Sequence, residues 1–168
     1  MNYLLPLISF VGLFVGNYLY KVAKEEIWYG KFWFLLMQKV LLLSIIGSFI
    51  YFFEFNYWVI LGFILGLVLA EFFNLWSFLG FSLLSSYFIS SNVLFLVSSL
   101  IFIYGLPVGT LMRKVRIEEI FYLFLCFIIP FIFYFGVDFV GVNFFVGLGV
   151  GGILRYVIGI FGLRKLFK

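Results

Sequence analysis

An all-helical, polytopic membrane bundle is the fold class that this sequence predicts, and three observations predict it. Apolar side chains dominate: 66% of the residues are hydrophobic and the mean hydropathy is +1.26. Charged residues fall in short clusters, and the runs between them are about as long as a bilayer core is thick. The basic clusters, at 21–31, 113–116 and 164–168, alternate with hairpins that carry only acid, at Glu54 and Asp138. A span needs roughly 20 apolar residues. A chain of 168 residues therefore holds six or seven spans as one transmembrane domain, 1–168, with no room for a soluble one.

The first span covers about 2–20. Pro6 lies in its opening turns, where a missing N–H costs little, and Gly12 and Gly16 make a small-xxx-small face for close helix packing. The N-terminus has no basic leader and no small-residue cleavage pattern, so it reads as an uncleaved span. The basic loop 21–31 leads through Glu25 and Glu26 into a second span, 32–53; carboxylates there suit the start of a helix. Lys39 falls two turns into that span, within snorkelling reach of the head groups.

Between Tyr57 and Met112 there is no basic residue and one acid, Glu71. Polar breaks at Asn74 with Ser77, and at Ser90-Ser91-Asn92, divide this region into spans 57–73, 75–90 and 93–112. The middle one is short for a core of about 30 Å and so is tilted or re-entrant. Arg113, Lys114 and Arg116 precede Glu118, Glu119 and a sixth span, 117–136, which Pro130 should kink. The seventh span, 139–163, ends at Arg164, Lys165 and Lys168.

Basic loops stay in the cytoplasm. All three basic clusters fall on one side only if 57–112 crosses an odd number of times, which selects seven spans with the N-terminus outside and the C-terminus cytoplasmic. The net charge of +4 is thus a topological signal and not a nucleic-acid footprint. The expected surroundings are the lipid bilayer of the cell membrane, with further copies or partner subunits as possible neighbours.

Spans one to three and five to seven share a plan of helix, basic loop with a Glu-Glu pair, helix, acidic hairpin and helix. A shift of 84 residues lays Glu54 on Asp138 and Glu71 on Arg155. That is a 3+1+3 parallel repeat, and its order resembles that of SWEET-type sugar transporters, which implies a transport site between the halves. The proline-glutamine signature of that family is missing, since Pro6, Pro107 and Pro130 are not followed by Gln. The stretch from Gly147 to Tyr156 is similar to the glycine-rich, Arg-Tyr-ended helix of small fluoride channels. Those channels carry it in their first helix, and their Phe/Ser/Thr-rich pore motif is not found here.

Function is sought first at Arg155, a guanidinium inside an apolar run beside the small-residue positions Gly147 and Gly151. A charge at the bilayer centre costs roughly 3 kcal/mol or more, so it takes a partner or lines a polar cavity. Glu71 is the matching acid: helical rise puts each about 25 Å below its outer hairpin, where a bidentate contact would offset both charges. Asn74 and Asn143 are polar neighbours on the same two spans. The expected role is passage of a small solute or ion at Arg155 and Glu71. A non-catalytic membrane subunit or assembly factor comes second, and a lipid-processing enzyme using Glu25, Glu26, Glu118 and Glu119 at the inner leaflet third. The chain has no histidine, so no Ser-His-acid triad can form. No catalytic residue, metal ligand or cofactor is assigned.

Overall fold

The computed structural model describes residues 4–52, 56–112, 117–136 and 141–161, and every regular element in it is helical. In chain order these are α1 (Leu4–Val22), α2 (Lys24–Phe52), α3 (Tyr57–Leu69), α4 (Leu75–Ile89), α5 (Ser91–Leu111), α6 (Ile117–Ile128) and α7 (Val142–Phe161). A 3-10 helix, Ile129–Gly136, continues α6. Four segments are long and apolar enough to cross a membrane: Leu5–Val22, Tyr29–Phe52, Ser91–Leu111 and Val142–Gly159. Helices α3 and α4 are apolar but shorter, with 13 and 15 residues.

Three boundaries differ from the sequence reading. The loop expected over 21–31 is helical on both sides of a break at Ala23, because Lys and Glu are good helix formers. Backbone bonds from Ala23 to Leu19 and from Ile27 to Ala23 run through that break. With α2 starting at Lys24, Lys39 lies near the middle of the helix, half-buried, and not two turns from an end. Span 57–73 ends early, at Leu69, so Glu71 sits in a turn instead of a helix. Pro130 does more than kink the sixth span. It lacks the N–H for an α-helical bond and its ring crowds the preceding turn, and the chain goes on for eight residues as the tighter 3-10 form. The acidic hairpin residues Glu54 and Asp138 and the basic clusters 113–116 and 164–168 lie outside the described residues.

Short polar caps make the turns at one end of the bundle. Asn56 accepts a bond from the Tyr57 amide at 2.6 Å. Ser90 closes α4 and opens α5 at once, its hydroxyl accepting from the Val93 amide at 3.3 Å.

Helix directions follow from the contacts. A methyl at Gly12 would overlap the Phe102 carbonyl, and one at Gly16 the Leu106 carbonyl, so α1 and α5 run parallel. Gly62 and Gly66 meet Phe144 and Leu148 in the same ascending order, so α3 and α7 are parallel too. Phe78 touches Gly152 and Ser82 touches Gly149, which sets α4 antiparallel to α7. Around the Ser90 turn Trp76 comes back beside Tyr104, with ring centroids 6.0 Å apart, so α4 is antiparallel to α5. Both glycine pairs are reciprocal. Gly105 and Gly109 press on α1, and Gly147 and Gly151 press on α3, in backbone-to-backbone contact that a side chain on either helix would prevent.

These contacts do not clearly show the 3+1+3 repeat. That repeat would relate α1 to α5 and α3 to α7 by one two-fold axis passing through the middle of both pairs. Helices α2 and α4 each pack on both α5 and α7.

The interior is largely aromatic. Phe10 is the centre, with Trp76 and Phe124 rings 5.2 Å away and Phe127 at 5.6 Å. Leu79, Leu83, Val97, Ile101 and Ile153 fill the space around this cluster without exposure. Buried hydroxyls mostly turn back on their own helix: Ser9 donates to the Pro6 carbonyl, Ser86 to Leu83 and Thr110 to Pro107. Ser82 and Ser98 are also buried, and their hydroxyls have no hydrogen-bond partner among the described residues.

Candidate functional site

The turn that joins α3 to α4 brings the two predicted charges together. Backbone donors of residues 70–73 are satisfied locally, by the carbonyls of Gly66, Val68 and Leu69, so the turn is self-contained. It presents Glu71 outward, and Arg155 of α7 donates from Nη2 to Glu71 Oε1 at 3.0 Å. On the next residue, the Tyr156 hydroxyl donates to the Phe73 carbonyl at 2.6 Å. Two adjacent residues of α7 thus staple the hairpin turn. Arg155 reaches the turn because Gly151 and Gly147, one and two turns above it on the same face, draw α7 against α3.

The pair differs from its expected form in two respects. It makes one hydrogen bond and is not bidentate, and it is not buried: the side chains keep 41% (Arg155) and 63% (Glu71) of their accessible surface. The cause is the early end of α3, which leaves Glu71 on a projecting turn. Of five guanidinium donors, one has a partner among the described residues.

The neighbours divide. Asn74 stands at the N-cap of α4 beside the pair, and its side chain makes no capping bond. Asn143 lies in the first turn of α7, about 18 Å along the helix from Arg155, because residues that share a span need not share a depth. Glu118 and Glu119 are exposed on α6; the Glu25 and Glu26 side chains lie outside the described ones. Among the described residues no three His, Cys, Asp or Glu side chains gather as metal ligands would.

Depth gives the site its character. Leu75 is level with Gly105 by the antiparallel register of α4 and α5. Helix α5 runs six residues further and α7 six residues past Arg155, each about 9 Å. In the other direction the chain rises about 20 Å from Arg155 to Val142. The hairpin therefore stops short of the end that its neighbours reach, and the ion pair sits in that recess.

Sequence reasoning missed three contributors. Gly62 with Gly66, and Gly105 with Gly109, are GxxxG pairs as plain as Gly12 with Gly16. Tyr156 looked like part of a motif and not like a clamp on a carbonyl. Three described cavities, of about 200, 330 and 280 Å³, have almost wholly apolar linings, and neither Arg155 nor Glu71 borders them. Against protein-family models, curated proteins and solved structures the chain gives no match.

Proposed function

We propose that the chain is a multi-pass protein of the cell membrane that works as a non-catalytic subunit or assembly factor of a larger membrane complex. The N-terminus lies outside and the C-terminus in the cytoplasm, with α3 and α4 forming a short hairpin that enters from the outer side. The parallel course of α1 and α5 supports this topology. It sends the chain towards the basic clusters after Val22 and after Met112 from the same end of the bundle, which is what the positive-inside rule asks.

One observation carries the role: the described interior is closed. Two reciprocal glycine contacts lock α1 to α5 and α3 to α7 through their backbones, and aromatic rings fill the space between. Moving a solute through such a bundle requires those contacts to part. The test is the purified chain alone in liposomes, alongside its native assembly state in mild detergent. The expected result is no flux of small anions or cations above empty vesicles, and a particle larger than one chain when taken from its own membranes. Flux by the isolated monomer that Arg155→Gln abolishes would overturn the reading.

A second reading, passage of a small solute or ion at Arg155 and Glu71, is favoured by the recess. Irregular backbone at membrane depth is tolerated where protein covers it or water reaches it. Residues 70–74 are such backbone, and Glu71 and Phe72 are exposed. The flux measurement separates the two readings.

A further inference from the structure

The apolar surface that lipid meets is not equally tall around the bundle. Helix α5 is about 31 Å long and the apolar stretch of α2, Tyr29–Phe52, about 36 Å, enough for a hydrocarbon core of about 30 Å. On α3 the exposed row of Tyr57, Ile60, Ile64 and Val68 ends with a helix of 13 residues, about 20 Å. Below that row stand the exposed charges Glu71 and Arg155. The opposite side is apolar at the same level. Trp76, just past the turn, packs beside Tyr104, and a methyl on the next residue, Gly105, would meet the Leu13 amide of α1 at 2.6 Å. Beyond Leu13, α1 continues exposed and apolar through Val15, Leu19 and Val22, for about 13 Å more of helix.

From this asymmetry we propose that the α3–α7 side of the protein thins the membrane. Phospholipid headgroups and their water enter the recess, and a lipid phosphate takes N–H groups of Arg155. Two physical reasons act together. An apolar stretch shorter than the core thins the bilayer around it, and here the shortfall is about 10 Å. An exposed charge at membrane depth draws in water and thins the leaflet locally, and acyl chains offer neither residue a hydrogen bond. Phosphate is the acceptor that a leaflet holds in excess. Of the five N–H donors of Arg155, four have no partner among the described residues, and a guanidinium suits two phosphate oxygens at once. That the thinned leaflet is the inner one rests on the proposed orientation of the chain; the thinning itself does not.

The experiment puts one nitroxide label on the full-length protein in phosphatidylcholine liposomes, in phosphate-free buffer and a Cys126→Ser background. Phe72→Cys, at an exposed position, reports the recess and leaves the ion pair in place. Val15→Cys reports the α1 side, about 3 Å nearer the same end of the bundle than Leu13. A water-soluble relaxing agent should reach the label at 72 severalfold more readily than the label at 15, and dissolved oxygen should show the reverse. The label at 72 should also broaden the lipid phosphorus resonance more than the label at 15 does. Arg155→Gln should remove that excess, and added inorganic phosphate should leave it unchanged. Both labels are compared in one bilayer, so a reversed orientation alters neither result. Should Arg155→Gln fail to fold, the two labels in the otherwise unchanged chain still decide: equal access at 72 and 15 overturns the proposal. So does a phosphorus effect that persists in Arg155→Gln. Displacement by inorganic phosphate would make the ligand a free anion, with the same consequence. A cysteine at 72 that reacts in liposomes but is shielded in native membranes would place a partner subunit in the recess and would also sink the proposal.

Discussion

Adding one methyl group at Gly147 and the same methyl at Gly47 should move stability in different directions. At Gly147 the new Cβ would overlap the Val59 carbonyl oxygen and meet the Phe63 amide nitrogen at 2.8 Å. Both are backbone atoms of α3, so no side chain can swing aside and the helices must separate. Overpacking of that kind costs about 1–3 kcal/mol. Against it stands the gain from replacing glycine inside a helix, about 0.8–1.0 kcal/mol. At Gly47 nothing lies within 4 Å of the added Cβ, so the gain stands alone. The two variants should therefore differ by about 1–3 kcal/mol, with Gly47→Ala at or above the wild type. For a chain of this length 1 kcal/mol moves Tm by roughly 2–4 °C, which puts Gly147→Ala about 2–12 °C below Gly47→Ala in the same detergent. Gly62→Ala, on the facing helix, should lower Tm as well, and the pair together by less than their sum, since one separation accommodates both methyl groups. Equal melting of Gly147→Ala and Gly47→Ala would refute the backbone contact, and with it the closed interior.

The Arg155–Glu71 pair should couple weakly. In a thermal cycle of Arg155→Gln, Glu71→Gln and the double variant, the exposed geometry predicts an interaction below about 1 kcal/mol; a coupling of about 3 kcal/mol or more would show that the pair is buried in the membrane-embedded protein. Tyr156→Phe removes the bond to the Phe73 carbonyl and should cost about 1 kcal/mol, read as a lower melting temperature and faster amide exchange in the 70–74 turn. In a Cys126→Ser background, single cysteines at Glu54 and Asp138 should label from outside intact cells and one at Lys114 should not; outside labelling at Lys114 would defeat the seven-crossing topology. A cysteine at Glu71 should react with a membrane-permeant thiol reagent that is active only in water, while no labelling would mean the recess is filled by lipid or protein.

Hydropathy and charge determined the class of this fold, because partition between lipid and water is set by composition over about 20 residues and needs no partner. The start of α3 and the breaks at Asn74 and Ser90 were equally legible, since polar residues at those points cap helices locally. So was the meeting of Arg155 with Glu71, which followed from the scarcity of other partners in the apolar runs. Helix pairing was only half legible. Each GxxxG pair announces a close contact, but four of them can pair in several ways, and only the folded chain matches Gly12 with Gly105 and Gly62 with Gly147. The 84-residue echo is an order along the chain, and order along a chain does not fix where helices stand around an axis. Exposure of the ion pair was likewise a tertiary outcome. It depends on α3 stopping at Leu69 while α5 and α7 run on, and relative depth exists only between helices already packed together.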